Sequence, residues 1–264
     1  MAKITFLGTA GAVASAQRDN TSLLLADDSG EKFLIDCPGS PVRKLAKLGL
    51  DYREISNLIL THSHVDHIYG VPSLIHSQYR LGNRINIFAT QKSLFLVRGL
   101  ISFHGLEDTK KFPEISFHTI PADKNNFLFF QGEKTIISSF PVKHTPDSIG
   151  LKISFKDPAL TCVYSGDTAF SQTVVEEAKN ADYLIHDCAC PSRFAEELEQ
   201  MHTSALVLGE IAEEAKVKTL IPIHFLTEID FKMEEIENEI RKNFSGNLMI
   251  PSDFDCLELK PQLS

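Results

Sequence analysis

Apolar and polar positions along the chain change period several times, and each change marks an element. Short β-rich runs separated by turns come first, at residues 3–8, 21–26, 32–36 and 58–61. Apolar residues then recur at three- and four-residue intervals around 67–81 and 92–106, the spacing of one helix face. A strand at 84–89 lies between those two helices. A β-rich middle follows, with strands predicted at 115–120, 127–131, 135–142, 149–155 and 160–165. The last third alternates again, with helices over 173–179, 204–216 and 232–242 and strands over 183–187, 218–223 and 254–259. No low-complexity stretch, Pro/Gly/Ser linker or short-period repeat divides the chain. Many strands with helices at intervals imply two packed sheets with helices outside, an α/β arrangement forming one domain over residues 1–264.

Composition narrows the function classes. The net charge of −9 argues against a generally basic, nucleic-acid-coating surface while leaving a local basic groove open. With 264 residues, 43% of them hydrophobic, the chain can bury a core without disulfides or a structural metal. No apolar run approaches the ~20 residues of a membrane span. Residues 1–16 end in Ala14-Ser15-Ala16, which looks like a secretory cleavage site. Lys3 is the only early cation, however, and Gly8 and Gly11 interrupt the apolar stretch, so a first strand and a glycine loop are expected instead. Cys37, Cys162, Cys188, Cys190 and Cys256 are odd in number and form no spaced framework, which fits reduced thiols in the cytoplasm.

The chemistry concentrates in Thr61-His62-Ser63-His64-Val65-Asp66-His67, between an apolar strand and an apolar helix. Side chains this polar seldom choose burial together for packing alone. In the turn after a strand, His62 and His64 can point to one side, while Asp66 and His67 sit around the bend. Imidazole suits zinc, manganese and iron, and a carboxylate can complete or bridge a site. His144, Asp167 and His224 lie at or just beyond the ends of predicted strands, where one edge of a sheet sandwich could gather them. With His62, His64, Asp66 and His67 they make a seven-residue set, enough for two metals sharing a carboxylate.

His62-Ser63-His64-Val65-Asp66-His67 resembles the HxHxDH signature of the metallo-β-lactamase superfamily, and His144, Asp167 and His224 follow in that superfamily's order. The resemblance covers essentially the whole chain. It implies an αββα sandwich of two mixed β-sheets flanked by helices, with two divalent ions at one edge. Zinc leads, with manganese and iron also suited. By this resemblance His62, His64, His144 and Asp167 hold one ion; Asp66, His67, Asp167 and His224 hold the other.

A narrower resemblance is to ribonuclease Z and its phosphodiesterase relatives. Residues 6–12, Phe-Leu-Gly-Thr-Ala-Gly-Ala, look like that group's opening strand and glycine loop, and Ile35-Asp36-Cys37-Pro38-Gly39 looks like its next turn, Pro38 being a departure. Where the group has His-Glu-Ala-Thr, this chain has His186-Asp187-Cys188-Ala189. His202, in His202-Thr203-Ser204-Ala205, resembles the group's proton-supplying histidine. The implied catalytic residues are Asp66, His202 and Asp187, the last fixing the tautomer of His202. His76, His104, His118 and His186 are read as ordinary surface or core residues, and Cys188 and Cys190 as outside the metal set.

The resemblance implies a metal-dependent hydrolase of phosphodiesters. Transfer-RNA-processing members carry a long basic arm between the positions of His144 and Asp167, whereas here residues 145–166 hold only two strands. Candidate cations near the metal edge, such as Lys143 and Arg18, are few and scattered. A small or nucleotide-derived phosphodiester is therefore the expected substrate, with transfer RNA 3′ processing as the alternative, so RNA remains a candidate partner. A homodimer is compatible with the sequence, and no membrane partner is expected. A redox protein on this fold would replace ligand histidines and append a flavin domain, and a β-lactam or thioester hydrolase would not need His202.

Overall fold

The computed structural model describes residues 1–261 apart from 81, 197 and 199. Among the described residues the strands form two sheets of seven. The first contains β1 (Lys3–Gly8), β2 (Ser22–Ala26), β3 (Lys32–Ile35), β4 (Asn57–Leu60), β5 (Arg84–Thr90), β6 (Glu114–Ile120) and β14 (Cys256–Glu258), in the order β14-β1-β2-β3-β4-β5-β6. The second contains β7 (Phe127–Gln131), β8 (Thr135–Pro141), β9 (Ile149–Lys156), β10 (Ala159–Tyr164), β11 (Tyr183–Asp187), β12 (Thr219–Ile223) and β13 (Asn247–Leu248), in the order β13-β12-β11-β10-β9-β8-β7. Both are mixed. Pairing is antiparallel from β14 to β3 and from β7 to β10, then parallel from β3 to β6 and from β10 to β13.

Alternation along the strands builds three apolar layers. Ile4 and Phe6 of β1 face Cys162 and Tyr164 of β10 in the layer between the sheets. Leu7, Leu58 and Leu60 face outward, under α1 (Pro41–Lys47), α2 (Val65–Ile68), α3 (Val71–Ser77) and α4 (Gln91–Phe103). Val163, Leu184 and Leu220 face the other way, under α5 (Gln172–Glu177), α6 (Ala205–Ala215) and α7 (Met233–Ile240). The result is the αββα sandwich that the sequence implied.

Two differences from the sequence reading have local causes. The helix expected over 67–81 is broken into α2 and α3, and its last residue, 81, lies outside the described residues. A Cβ at Gly70 would stand 2.7–2.8 Å from the carbonyl oxygens of Cys37, Pro38 and Gly39, and Pro72 has no N–H to continue a helix. The short α1 and β13 were not expected; α1 starts with Pro41, whose fixed φ suits a first helical position. Among the described residues no helix is long and apolar enough to cross a membrane. All five cysteines are free, and only Cys256 is exposed.

Candidate metal and catalytic site

The C-terminal ends of several strands open onto one edge of the sandwich, as expected for side chains that must converge from different strands. β4 leads into Thr61, His62 and His64, and α2 carries Asp66 and His67. His144 follows β8, Asp167 follows β10, Asp187 ends β11 and His224 follows β12. The turn after β10 needs Gly166: its φ is +60°, and a Cβ there would lie 2.9 Å from the Ile149 carbonyl oxygen. Gly11, from the opening glycine loop, backs the other side, where a Cβ would meet the His224 ring at 3.2 Å.

Asp167 is the centre. Its Oδ2 lies 3.0 Å from His224 Nε2, 3.2 Å from His67 Nε2, 3.6 Å from His62 Nε2 and 3.9 Å from His144 Nε2. Asp66 Oδ2 is 3.4 Å from His67 Nε2, and His64 Nδ1 is 3.1 Å from His144 Nε2. All seven residues expected as ligands thus meet at one edge, in overlapping groups whose ligand atoms lie within 4.8 Å of one another. Several of these atoms are buried without hydrogen-bond partners: His62 Nε2, His67 Nε2, His224 Nε2 and Asp167 Oδ1. Orphaned acceptor-type atoms facing one another in a buried space are costly unless a cation lies between them. The donor set, imidazole plus a central carboxylate, fits divalent ions.

Protonation follows the same electrostatics. Burial pushes the Asp167 carboxyl up, but the charges of His224, His67 and His62 outweigh it and hold it well below the usual carboxylate range. Burial would lower His224; Asp167 outweighs that and raises it to about 10. His67 is likewise held well above its ordinary value by Asp167 and Asp36 against its burial. Burial, helped by His67, keeps His62 neutral, the form that coordinates metals. Metal ions bound at this edge would compete with those protons.

Orienting contacts surround the cluster. His144 Nδ1 donates to the Met201 carbonyl at 2.8 Å, which leaves its Nε2 lone pair facing Asp167. His67 Nδ1 lies 2.9 Å from Asp36 Oδ2, and Asp36 also accepts from the Thr61 N–H and hydroxyl at 2.8 and 2.9 Å. Such outer partners fix ring orientation and tautomer. Asp36 was legible only as part of a family turn; its orienting role depends on β3 lying beside β4. Asp147 was missed altogether. It is buried, takes hydrogen bonds from Lys92, Ser93, Thr145 and Ser63, and so ties α4 to the His64 and His144 loops.

His202 Nδ1 sits 2.8 Å from Asp187 Oδ2 at the rim of the cluster, and its ring stacks on His224 with centroids 5.1 Å apart. His76, His104 and His118 are exposed and away from this edge. His186 is buried, its Nδ1 donating to the Asp187 carbonyl at 2.7 Å. Burial pushes the Cys188 and Cys190 thiols upward, Cys190 to about 11, so they are held as thiols rather than metal-binding thiolates.

Residues 2–240 match the family described as anti-Pycsar protein Apyc1. The chain is 26% identical over 304 aligned residues to ribonuclease Z of Methanosarcina acetivorans, covering 98% of each chain. Among solved structures, the metallo-β-lactamase fold protein YhfI of Bacillus subtilis superposes with a TM-score of 0.81 at 20% identity, over 97% of this chain and 98% of that one. The short form of human tRNase Z superposes with a TM-score of 0.79 at 21% identity, over 98% and 100%. These structures share the metallo-β-lactamase fold.

Proposed function

The chain belongs to the anti-Pycsar protein Apyc1 family, and we propose that this metal-dependent hydrolase holds two divalent ions and cleaves a small, nucleotide-derived phosphodiester. His62, His64, His144 and Asp167 would hold one ion and Asp66, His67, Asp167 and His224 the other, with zinc the leading candidate and manganese or iron also suited. Ions bound there supply Lewis acidity, neutralising charge on phosphoryl oxygens and lowering the pKa of water. Asp66 would accept a hydrogen bond from the attacking water and orient it. His202, protonated, gives the proton of its Nε2 to the leaving alkoxide, while Asp187 keeps the ring fixed through Nδ1.

The observation that carries this reading is the His202–Asp187 pair beside the seven-residue cluster. A buried carboxylate on one ring nitrogen leaves the other free to act as a general acid. For substrate size, the support is what joins His144 to Asp167: β9, β10 and short turns, with no protruding arm. The ribonuclease Z relatives favour a second reading, transfer RNA 3′ processing. A panel of precursor transfer RNA against 2′,3′- and 3′,5′-cyclic nucleotides, with the metal-loaded protein, separates the two. Efficient cleavage restricted to precursor transfer RNA overturns the small-substrate reading.

A cytoplasmic location accords with the five free cysteines. A homodimer is supported by the outer face of α4. There Phe95 and Phe103 are 73% and 86% exposed, beside a cavity of about 960 Å³ that reaches Ser63 and Val65. Protruding aromatics beside an apolar groove are a face that a twofold contact with a second copy would cover.

A further inference from the structure

A second concentration of charge is lined by none of the metal ligands, although its Arg18 lies over the ring of Phe225, the neighbour of His224. A cavity of about 340 Å³ opens between residues 15–19, α1 and the Asp253–Phe254 turn. Arg18, Arg43, Lys44 and Lys47 line it, against Asp19 and Asp253. In the sequence Arg18 stands apart from other cations; packing of the opening loop on α1 brings it to the other three.

Lys44 is the informative residue. It is only 4% exposed, and among the described residues its Nζ has no hydrogen-bond partner. Among the described residues its one ion pair is with Asp19 Oδ2 at 3.2 Å, and its charge also acts on Asp253. An ammonium carries three donors, so a single carboxylate oxygen leaves most of its capacity unused in a place where that is expensive. The other groups are unequally committed. Asp253 is already engaged, accepting from the Thr9 hydroxyl at 2.7 Å and the Asp19 N–H at 2.6 Å. Arg18 is anchored on the Thr9 hydroxyl at 2.6 Å and the Pro251 carbonyl at 2.7 Å. Lys47 lies over the Phe254 ring, 3.7 Å from its centroid, rather than on a carboxylate. Arg43 is exposed and forms no ion pair among the described residues. Three cations, one of them buried, are thus available to one small space.

We propose that this cavity binds a phosphate group, free or at the end of a nucleotide, at a site that none of the metal ligands lines. The guanidinium of Arg43 can take two phosphate oxygens at once, and Lys44 and Lys47 act as point charges on the third side. Net positive charge and the volume of the space select a compact anion over a neutral ligand.

The test uses the metal-loaded protein and inorganic phosphate. Calorimetry reads total phosphate binding, while competitive inhibition of bis(4-nitrophenyl) phosphate hydrolysis reads phosphate at the metal edge alone. Arg43→Gln/Lys47→Gln, both at exposed positions, should weaken the calorimetric site by roughly tenfold or more, the loss expected for charged hydrogen-bond partners. Its inhibition constant and turnover should stay unchanged. Lys44→Met should lose the same site; should that variant fail to fold, the exposed pair decides. A nucleoside 5′-phosphate in place of inorganic phosphate distinguishes a terminal phosphate from the free anion. Calorimetric binding that is indistinguishable between wild type and Arg43→Gln/Lys47→Gln, for both probes, overturns the proposal.

Discussion

The Asp187 carboxylate oxygen that lies 2.8 Å from His202 Nδ1 also accepts the Thr168 backbone N–H at 2.9 Å. Its other oxygen stands 3.6 Å from His224 Nδ1. One fully buried carboxylate therefore links the expected proton donor to an expected metal ligand. Asp187 is the last residue of β11, and from there its short side chain reaches His202.

This pairing sets a pH dependence. Burial would lower the His202 pKa, but the Asp187 charge and hydrogen bond outweigh it and hold the imidazole above its ordinary value. A group that acts when protonated works fully below its pKa and is lost as pH rises through it. Turnover should fall on an alkaline limb above the ordinary histidine value of ~6.5. In Asp187→Asn the largest opposition to burial is gone and only the weaker Asp167 charge remains, so the limb should move to lower pH. Profiles of kcat for both proteins check this; an unmoved limb assigns it to another group.

His202→Ala should separate binding from chemistry. Metal content should stay intact, while turnover of an ester with a poor leaving group drops by roughly 10²–10⁴-fold, the usual worth of a general acid. A nitrophenyl ester barely needs the proton and should lose much less. Equal losses on both substrates would mean that His202 holds the phosphate instead.

Metal analysis should approach two divalent ions per chain in reconstituted protein. His64→Ala removes a group shared with His144 and His62 and should lower that number, with a matching loss of activity. Wild-type protein that never exceeds a trace of metal contradicts the ligand assignment.

Gly11→Ala tests the backing of the second ion. The new methyl would lie 2.8 Å from Leu226 Cδ2 and 3.2 Å from the His224 ring. Leu226 can shift, but the ring can do so only by leaving Asp167. Metal affinity should fall by roughly 10–100-fold, the range seen when outer support of a ligand is disturbed. A titration with a chromophoric chelator reads it, and unchanged affinity would show that the loop yields instead.

Salt response reports substrate size. A protein making ~6–10 phosphate contacts loses roughly 10³–10⁵ in affinity between 50 and 200 mM salt. For a small diester, kcat/KM should change by far less over that range. Steep salt sensitivity with precursor transfer RNA, together with efficient cleavage, would promote the transfer RNA reading.

The period of the apolar residues determined most strands within a residue or two, because alternation is a local consequence of facing a core. The density of His62, His64, Asp66 and His67 in one turn announced the metal edge, since so many ionisable groups are rarely crowded together without a task. His144, Asp167 and His224 were legible because each follows a strand, and strand ends are where such residues gather. Tertiary structure alone decided the rest. Asp36 orients His67 only because β3 pairs with β4, and Asp147 reaches Ser63 only because the start of β9 hydrogen-bonds to Thr61. The break at Gly70 comes from three carbonyls of a distant loop. Arg18 joins Arg43, Lys44 and Lys47 only once the opening loop lies on α1. Each of these rests on a contact between segments far apart in the chain, and a periodicity read along one segment carries no information about which other segment will lie against it.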